Sequence, residues 1–185
     1  MKISCRPYSV VVAGLMALIL SVSPSFARSW KTNPISLAQD YLTIIDNRGG
    51  GDQAIVMWLS SALLPDGPQT QSARELLDKT VVIGVVRGKA EKDGTLKFIS
   101  DPPVVAKGAD GKSLRVVSKD ETSPAMLGAL ATIQVMLGRA MGPFGQGIKW
   151  VTFDAGALKP CGKGVLAVEF ADETYTFETP LPGCK

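Results

Sequence analysis

Short runs of β-branched residues separated by Asp-Gly pairs constrain the fold more than any other feature of this sequence. Asp93-Gly94 separates an apolar run at 80–87 from a second run at 95–100. Asp-Gly between two such runs favours a tight hairpin, because the turn residues must tolerate positive φ. The segment 81–86 is apolar on both faces, which is typical of a central strand buried on both sides. The pattern predicts a mainly β chain with antiparallel pairing.

Asp110-Gly111 predicts a second hairpin, between 103–106 and 114–118. A two-residue turn at 110–111 would set Val105 opposite Val116. Apolar residues would then face apolar residues, so we expect this register.

The last forty residues predict a third hairpin. Two alternating runs, 165–170 and 174–178, flank Asp172-Glu173. A turn centred there would set Phe170 opposite Tyr175, through either a two-residue turn or a four-residue loop.

Extended to the open end of this hairpin, the same register brings Cys161 opposite Cys184. Pro180 and Pro182 would break the strand ladder first, so the two cysteines would meet through loops. We therefore predict a disulfide between Cys161 and Cys184.

The N-terminus resembles an export signal. Residues 1–27 combine a start with two basic side chains, an apolar run at 10–20 and a small-residue site at 25–27. That order is typical of a cleaved secretory signal peptide, and the apolar run is too short to span a bilayer. We predict a single exported β-rich domain at 28–185, in the periplasm or secreted, where disulfides form.

One long helix is predicted at 125–141. Ser123 suits the N-cap, and Gly142-Pro143 ends the segment. A helix that is apolar nearly all round is usually buried, so we expect it to pack in the core. The alternative is contact with a protein partner or a second copy. Gln134 and Arg139 argue against a membrane span of the mature form.

The segment 34–62 fits either a helix or a hairpin. We favour a short helix at 34–40 followed by strands at 41–46 and 53–59. With about eight short strands, we predict an immunoglobulin-like antiparallel sandwich with one inserted long helix. The alternative is an α+β fold in which the helix packs on one antiparallel sheet.

A glycine-rich loop at 47–52 is the leading candidate binding segment. Successive backbone N–H groups there could bind an anion, with a cationic side chain beside them, or the loop could simply turn a hairpin. The candidate ligand-binding residues are Arg48, Gly49, Gly50 and Gly51.

The residue inventory excludes several chemistries. The chain contains no histidine, which removes histidine-based triads and metal sites. With the signal segment removed, basic and acidic residues nearly balance, so we expect no nucleic-acid partner. We predict no metal and no cofactor.

The function that these exclusions leave is an exported, non-enzymatic binding or assembly module. The alternative is a small secreted or periplasmic hydrolase, because paired carboxylates can hydrolyse glycosides without histidine. The carboxylates that such an enzyme could use are Asp46, Asp52, Asp154 and Glu169.

Overall fold

The structure, a computed structural model, describes residues 34–64, 67–68, 70–100 and 103–182. The predicted signal peptide at 1–27 and Cys184 lie outside these residues. The described helices are α1 (Pro34–Tyr41), α2 (Gln71–Lys79), α3 (Pro124–Met141) and α4 (Pro143–Gly147). The described strands are β1 (Thr43–Gly49), β2 (Asp52–Leu59), β3 (Thr80–Ala90), β4 (Leu96–Phe98), β5 (Val105–Lys107), β6 (Lys149–Asp154), β7 (Gly164–Phe170) and β8 (Glu173–Thr179).

The first sheet is built around β3. Strands β1, β2 and β3 follow one another as antiparallel neighbours. On its other edge β3 pairs first with β6, where Val85 lies opposite Lys149, and then with β4, where Gly88 lies opposite Phe98. Residues 81–86 are all buried, as their two-sided apolarity predicts. The sharing of one edge by two partner strands leaves a gap between β4 and β6.

The second sheet contains β5, β7 and β8, all antiparallel. Inward side chains of both sheets form one core, in which Trp58 of β2 meets Phe177 of β8 at a ring-centroid distance of 6.0 Å. Helices α2, α3 and α4 lie on the opposite face of the first sheet, against residues such as Val82 and Val86. The protein is therefore mainly β, with antiparallel sheets and a few helices.

The hairpin predicted within 34–62 is present, and a short helix precedes it. Strands β1 and β2 pair from Thr43 opposite Met57 to Gly49 opposite Asp52. The structure thus decides between the two alternatives that this segment left open.

The predicted register of the C-terminal hairpin is wrong by two residues. Ala171 and Asp172 form a two-residue turn with φ values of 55° and 64°. Tyr175 therefore lies opposite Val168 rather than opposite Phe170. Both turn residues adopt the left-handed conformation. The residue types at 171–172 do not predict such a turn, because neither is glycine or asparagine. A shift of two leaves every side chain on its predicted face.

The predicted pairing across Asp110-Gly111 is also wrong. Ser113 bridges Lys107, one residue out of the expected register. The following segment then leaves β5, and Val116 bridges Phe153 of the first sheet. Val105 instead lies opposite Glu169 of β7. The segment after the turn thus connects the two sheets instead of extending one of them.

Helix α3 begins where the sequence predicts, since the Ser123 hydroxyl accepts a hydrogen bond from the Met126 N–H at 3.2 Å. The helix packs on the first sheet, as the core interpretation expects, but most of its surface is not buried. Only Met126 and Leu130 are buried, because a helix lying on one face of a sheet buries only the stripe that meets the sheet. By length and composition alone, α3 could cross a membrane, with a mean hydropathy of 1.2. Only 11% of its 18 residues are buried in the protein.

Candidate functional site

The glycine-rich loop joins β1 to β2 at one end of the first sheet. Gly49, Gly50 and Gly51 all have positive φ, at 83°, 58° and 81°. A Cβ on Gly51 would lie 2.6 Å from the Ala90 carbonyl oxygen, so only glycine fits against β3 there. Turn geometry and close packing therefore account for the three glycines of this loop without a ligand, and its predicted role in binding stays a prediction.

The Arg48 side chain turns inward toward the second sheet. Its Nε donates to Asp46 Oδ2 at 2.9 Å, and its terminal amino group donates to the Tyr175 hydroxyl oxygen at 3.0 Å. The Tyr175 hydroxyl in turn donates to Asp46 Oδ2 at 2.9 Å. The three side chains close a polar triangle that links β1 to β8.

This triangle shifts the titration of its members. The hydrogen bond from Tyr175, followed by that from Arg48, lowers the pKa of Asp46. Burial raises the pKa of the Tyr175 hydroxyl, and its hydrogen bond to Asp46 raises it further. At neutral pH Asp46 is therefore a carboxylate and Tyr175 a neutral donor.

A second ion pair lies beside the triangle. Arg87 of β3 donates to both carboxylate oxygens of Asp52, from Nε at 3.1 Å and from a terminal nitrogen at 2.7 Å. These hydrogen bonds lower the pKa of Asp52. Both side chains project from the inner face of the first sheet, because Asp52 lies opposite Lys89 and Arg87 opposite Ala54 in the ladder.

The four candidate carboxylates do not converge on one point. Asp46 and Asp52 share the loop end of the first sheet, with Arg48 and Arg87 as their respective partners. Asp154 ends β6 opposite Thr80, at the start of β3. Glu169 of β7 binds the Lys107 ammonium. Within the described ranges, no group of three or more acidic or cysteine residues could hold a metal ion.

A cavity of about 390 Å³ opens next to the Arg87 pair, where β4 and β6 separate along β3. Its walls are mostly apolar, and Arg87 and Lys149 are its two charged lining residues. The volume falls in the range of small-molecule sites. The cavity walls are Val85, Val86, Phe98, Ile99, Pro103, Val104, Gly147, Val151 and Phe170.

Sequence reasoning missed Tyr175, Arg87 and Lys149. Arg87 continues the inward positions of β3 after Val85, so the alternation of that strand could have marked it. Tyr175 reaches the polar triangle, and Lys149 the cavity, only through strand pairings between remote segments. A single sequence does not give these pairings.

The outer face of α3 is a second candidate surface. Its exposed apolar side chains include Leu127, Val135 and Met136, with relative exposures of 37%, 56% and 63%. The opposite face is fixed to the protein through Gln134, which donates to the Gly145 carbonyl oxygen at 2.7 Å and accepts from the Trp150 indole at 2.6 Å. No element in the described part of the chain covers the outer face.

Cys161 lies in the exposed turn before β7. The Leu181 N–H donates to the Pro160 carbonyl oxygen at 2.8 Å. This bond brings the chain that leads to Cys184 next to Cys161, although Cys184 itself lies outside the described residues.

Comparison with known proteins gives little further guidance. No family model matches the chain, and no curated protein matches it. A solved structure of a DUF4426 family protein from Pseudomonas aeruginosa is similar to 74% of this chain and 92% of its own, at 18% identity and a TM-score of 0.31. A similarity at that TM-score carries no argument about fold or function.

Proposed function

We propose that the mature chain is an exported, non-enzymatic assembly module that associates with a second copy of itself through the outer face of α3. One observation carries this proposal: an 18-residue helix of mean hydropathy 1.2 has only 11% of its residues buried. Exposed apolar surface of this extent is costly in water and typically marks an interaction site.

The chemistry of the face favours a second copy as the partner. Arg139 is the only charged residue on α3, in its last turn, and Asp120 lies exposed just before the helix. The helix is about 27 Å long at 1.5 Å per residue. When two copies cross antiparallel about a two-fold axis midway between Gly128 and Ala131, Arg139 of each lies beside Asp120 of the other.

Small residues along this face allow the two helices to approach closely. Gly128 and Ala131 lie on the exposed side, and the Thr132 hydroxyl is already bonded to the Gly128 carbonyl oxygen at 3.0 Å. Since one helix face offers less than the roughly 800 Å² per partner of a standard interface, we expect a concentration-dependent dimer.

The first experiment compares two exposed valines. Val135→Glu should convert the dimer to a folded monomer, because it places an unpaired charge from each copy in an apolar contact. Val116→Glu is the matched control, since Val116 is 54% exposed and Val135 is 56% exposed. Sedimentation velocity over a concentration series gives the association constant, and circular dichroism checks the fold. A wild-type chain that is monomeric at all concentrations would refute the proposal.

A charge exchange tests the antiparallel arrangement. Arg139→Asp alone and Asp120→Lys alone should each weaken association by placing like charges together. The double variant should restore it. If the double variant associates no better than the single variants, then α3 meets its partner in another orientation.

Export and oxidation belong to the same proposal. We propose cleavage after Ala27 and a Cys161–Cys184 disulfide, supported by the order of charge and hydropathy in 1–27 and by the Leu181–Pro160 hydrogen bond. We also propose that the fold is an immunoglobulin-like sandwich. Two antiparallel sheets around one core support this proposal. The intact mass of protein from its native host tests the cleavage site, and retention of Met1 in exported protein would exclude it.

A hydrolase with paired carboxylates remains the alternative. Such an enzyme needs one carboxyl group with a raised pKa to act as the acid. Asp46 and Asp52 are held ionised instead, and Glu169 is bound to Lys107. These pairings favour the assembly module.

A further inference from the structure

The cavity between β4 and β6 is independent of α3 and has a distinct chemistry. It exists because β3 is longer than either partner on that edge. β6 pairs with β3 up to Val85, and β4 begins pairing at Gly88. The two residues between them, Val86 and Arg87, line an opening that holds about 390 Å³.

The walls of the cavity are fixed by packing. Val85, Val104 and Phe170 have relative exposures of 3%, 8% and 7% and form its floor from both sheets. At the mouth, Phe98 lies directly against Gly147, where any Cβ would come within 2.3 Å of the ring. The absence of a side chain at 147 thus lets an aromatic wall stand beside the opening.

The charge at the mouth is positive. Lys149 lies opposite Val85 in the ladder, and Arg87 follows two residues later on β3, so both project from the same face. Arg87 is engaged with Asp52. Among the described residues, no carboxylate oxygen lies within ion-pair distance of the Lys149 ammonium.

We infer that this cavity binds an amphiphile with an anionic head, such as a medium-chain carboxylate. The alkyl chain contacts the apolar walls, where burial stabilises it in proportion to the area removed from water. The carboxylate lies at the mouth and accepts a charge-assisted hydrogen bond from Lys149. Arg87, the second cation of the lining, is held beside the mouth by its ion pair with Asp52.

The test uses three probes with the same chain and different heads: octanoate, 1-octanol and octyltrimethylammonium. Each is titrated into the full mature chain while amide chemical shifts are followed by two-dimensional NMR. The perturbed amides should cluster at 85–87, 98–99 and 147–151. Octanoate should bind at least about fivefold tighter than 1-octanol, and octyltrimethylammonium weakest, as expected for one partly exposed cation at the mouth.

Two variants assign the preference to particular groups. Lys149→Gln should remove the preference for octanoate and leave the affinity for 1-octanol unchanged. Ile99→Trp, at a half-exposed wall position, should fill the opening and weaken all three probes. Lys119→Gln is the control, because it removes one exposed cation that does not line the cavity.

The outcomes separate the parts of the inference. Equal binding of octanoate and 1-octanol, unchanged by Lys149→Gln, would overturn the anionic head. Perturbations confined to α3, or none at all, would overturn the site itself. Repeating the titration with Val135→Glu removes any contribution from self-association, so that failure of the dimer and failure of the cavity are distinguishable.

Discussion

At the scale of single residues, the hydroxyl of Tyr175 connects the two sheets. It accepts from Arg48 and donates to Asp46, 127 and 129 residues away along the chain. Beside this group, Asp52 at the same end of the sheet is bound by Arg87. The loop end of the first sheet is therefore held by paired charges whose strength depends on pH.

Asp52 gives a pH prediction. Arg87 lowers the pKa of Asp52 in the folded protein, whereas an aspartate in the unfolded chain titrates near about 3.9. In the interval between these two values the unfolded chain binds more protons. The stabilisation is therefore complete above the unfolded value and is lost as the pH falls through the folded one. Urea denaturation between neutral pH and acid should show a smaller loss of stability for Asp52→Asn than for the wild type; an identical pH dependence would contradict this assignment.

At the scale of elements, the turn between β7 and β8 sets the register of the second sheet. Ala171 and Asp172 both have positive φ, which matches the twist of the flanking strands. Ala171 is also 2% exposed, so the turn packs onto the core instead of projecting from it. The fit of Ala171 into the core compensates for an unfavourable backbone conformation.

Asp172 is the exposed member of this turn and can be changed without altering the core. Asp172→Gly should raise the free energy of unfolding by about 0.5 kcal/mol, because glycine adopts positive φ without a steric penalty. Asp172→Val should lower it by about 1–2 kcal/mol, since a β-branched residue is strained there. Equilibrium urea denaturation measures both changes. Two variants of equal stability would mean that this residue does not hold positive φ in solution.

Local patterns predicted the elements better than their partners. The central strand at 81–86 and the start of α3 at Ser123 follow from apolarity and capping chemistry. The extent to which α3 is buried could not be predicted in this way. An apolar helix has the same sequence pattern whether its outer face is covered or exposed. The cavity at Lys149 depends on where β4 and β6 separate along β3, which is a property of strand pairing and not of any short segment.

At the scale of the whole molecule, the protein has three layers: helices α2 to α4 on one side, the β3 sheet in the middle and the three-stranded sheet on the other. The segment after Asp110-Gly111 passes between sheets, where Val116 bridges Phe153. The chain after β8 returns beside Pro160 through the Leu181 hydrogen bond. The C-terminal segment thus lies against the turn that leads into β7.

The proposed disulfide would hold that C-terminal segment in place. Linking Cys161 to Cys184 closes a loop of 24 residues, which stabilises by roughly 3 kcal/mol in the chain-entropy model. Cys161→Ser, Cys184→Ser and the double variant should all lose the same amount in urea denaturation, and reductant should reproduce the loss in the wild type. Two titratable thiols in the denatured, unreduced mature protein would exclude the bond.

The sharing of β3 by two partners also determines when the molecule can finish folding. Strands β1 to β4 are complete once residue 98 has emerged, but the edge of β3 at 80–85 stays unpaired until β6, at 149–154, arrives. This interval leaves one of the most apolar stretches of the chain with free backbone donors and acceptors, the condition that favours intermolecular strand pairing. We expect a chain that ends before residue 149 to aggregate, and a chaperone that shields 80–85 to be most useful during this interval.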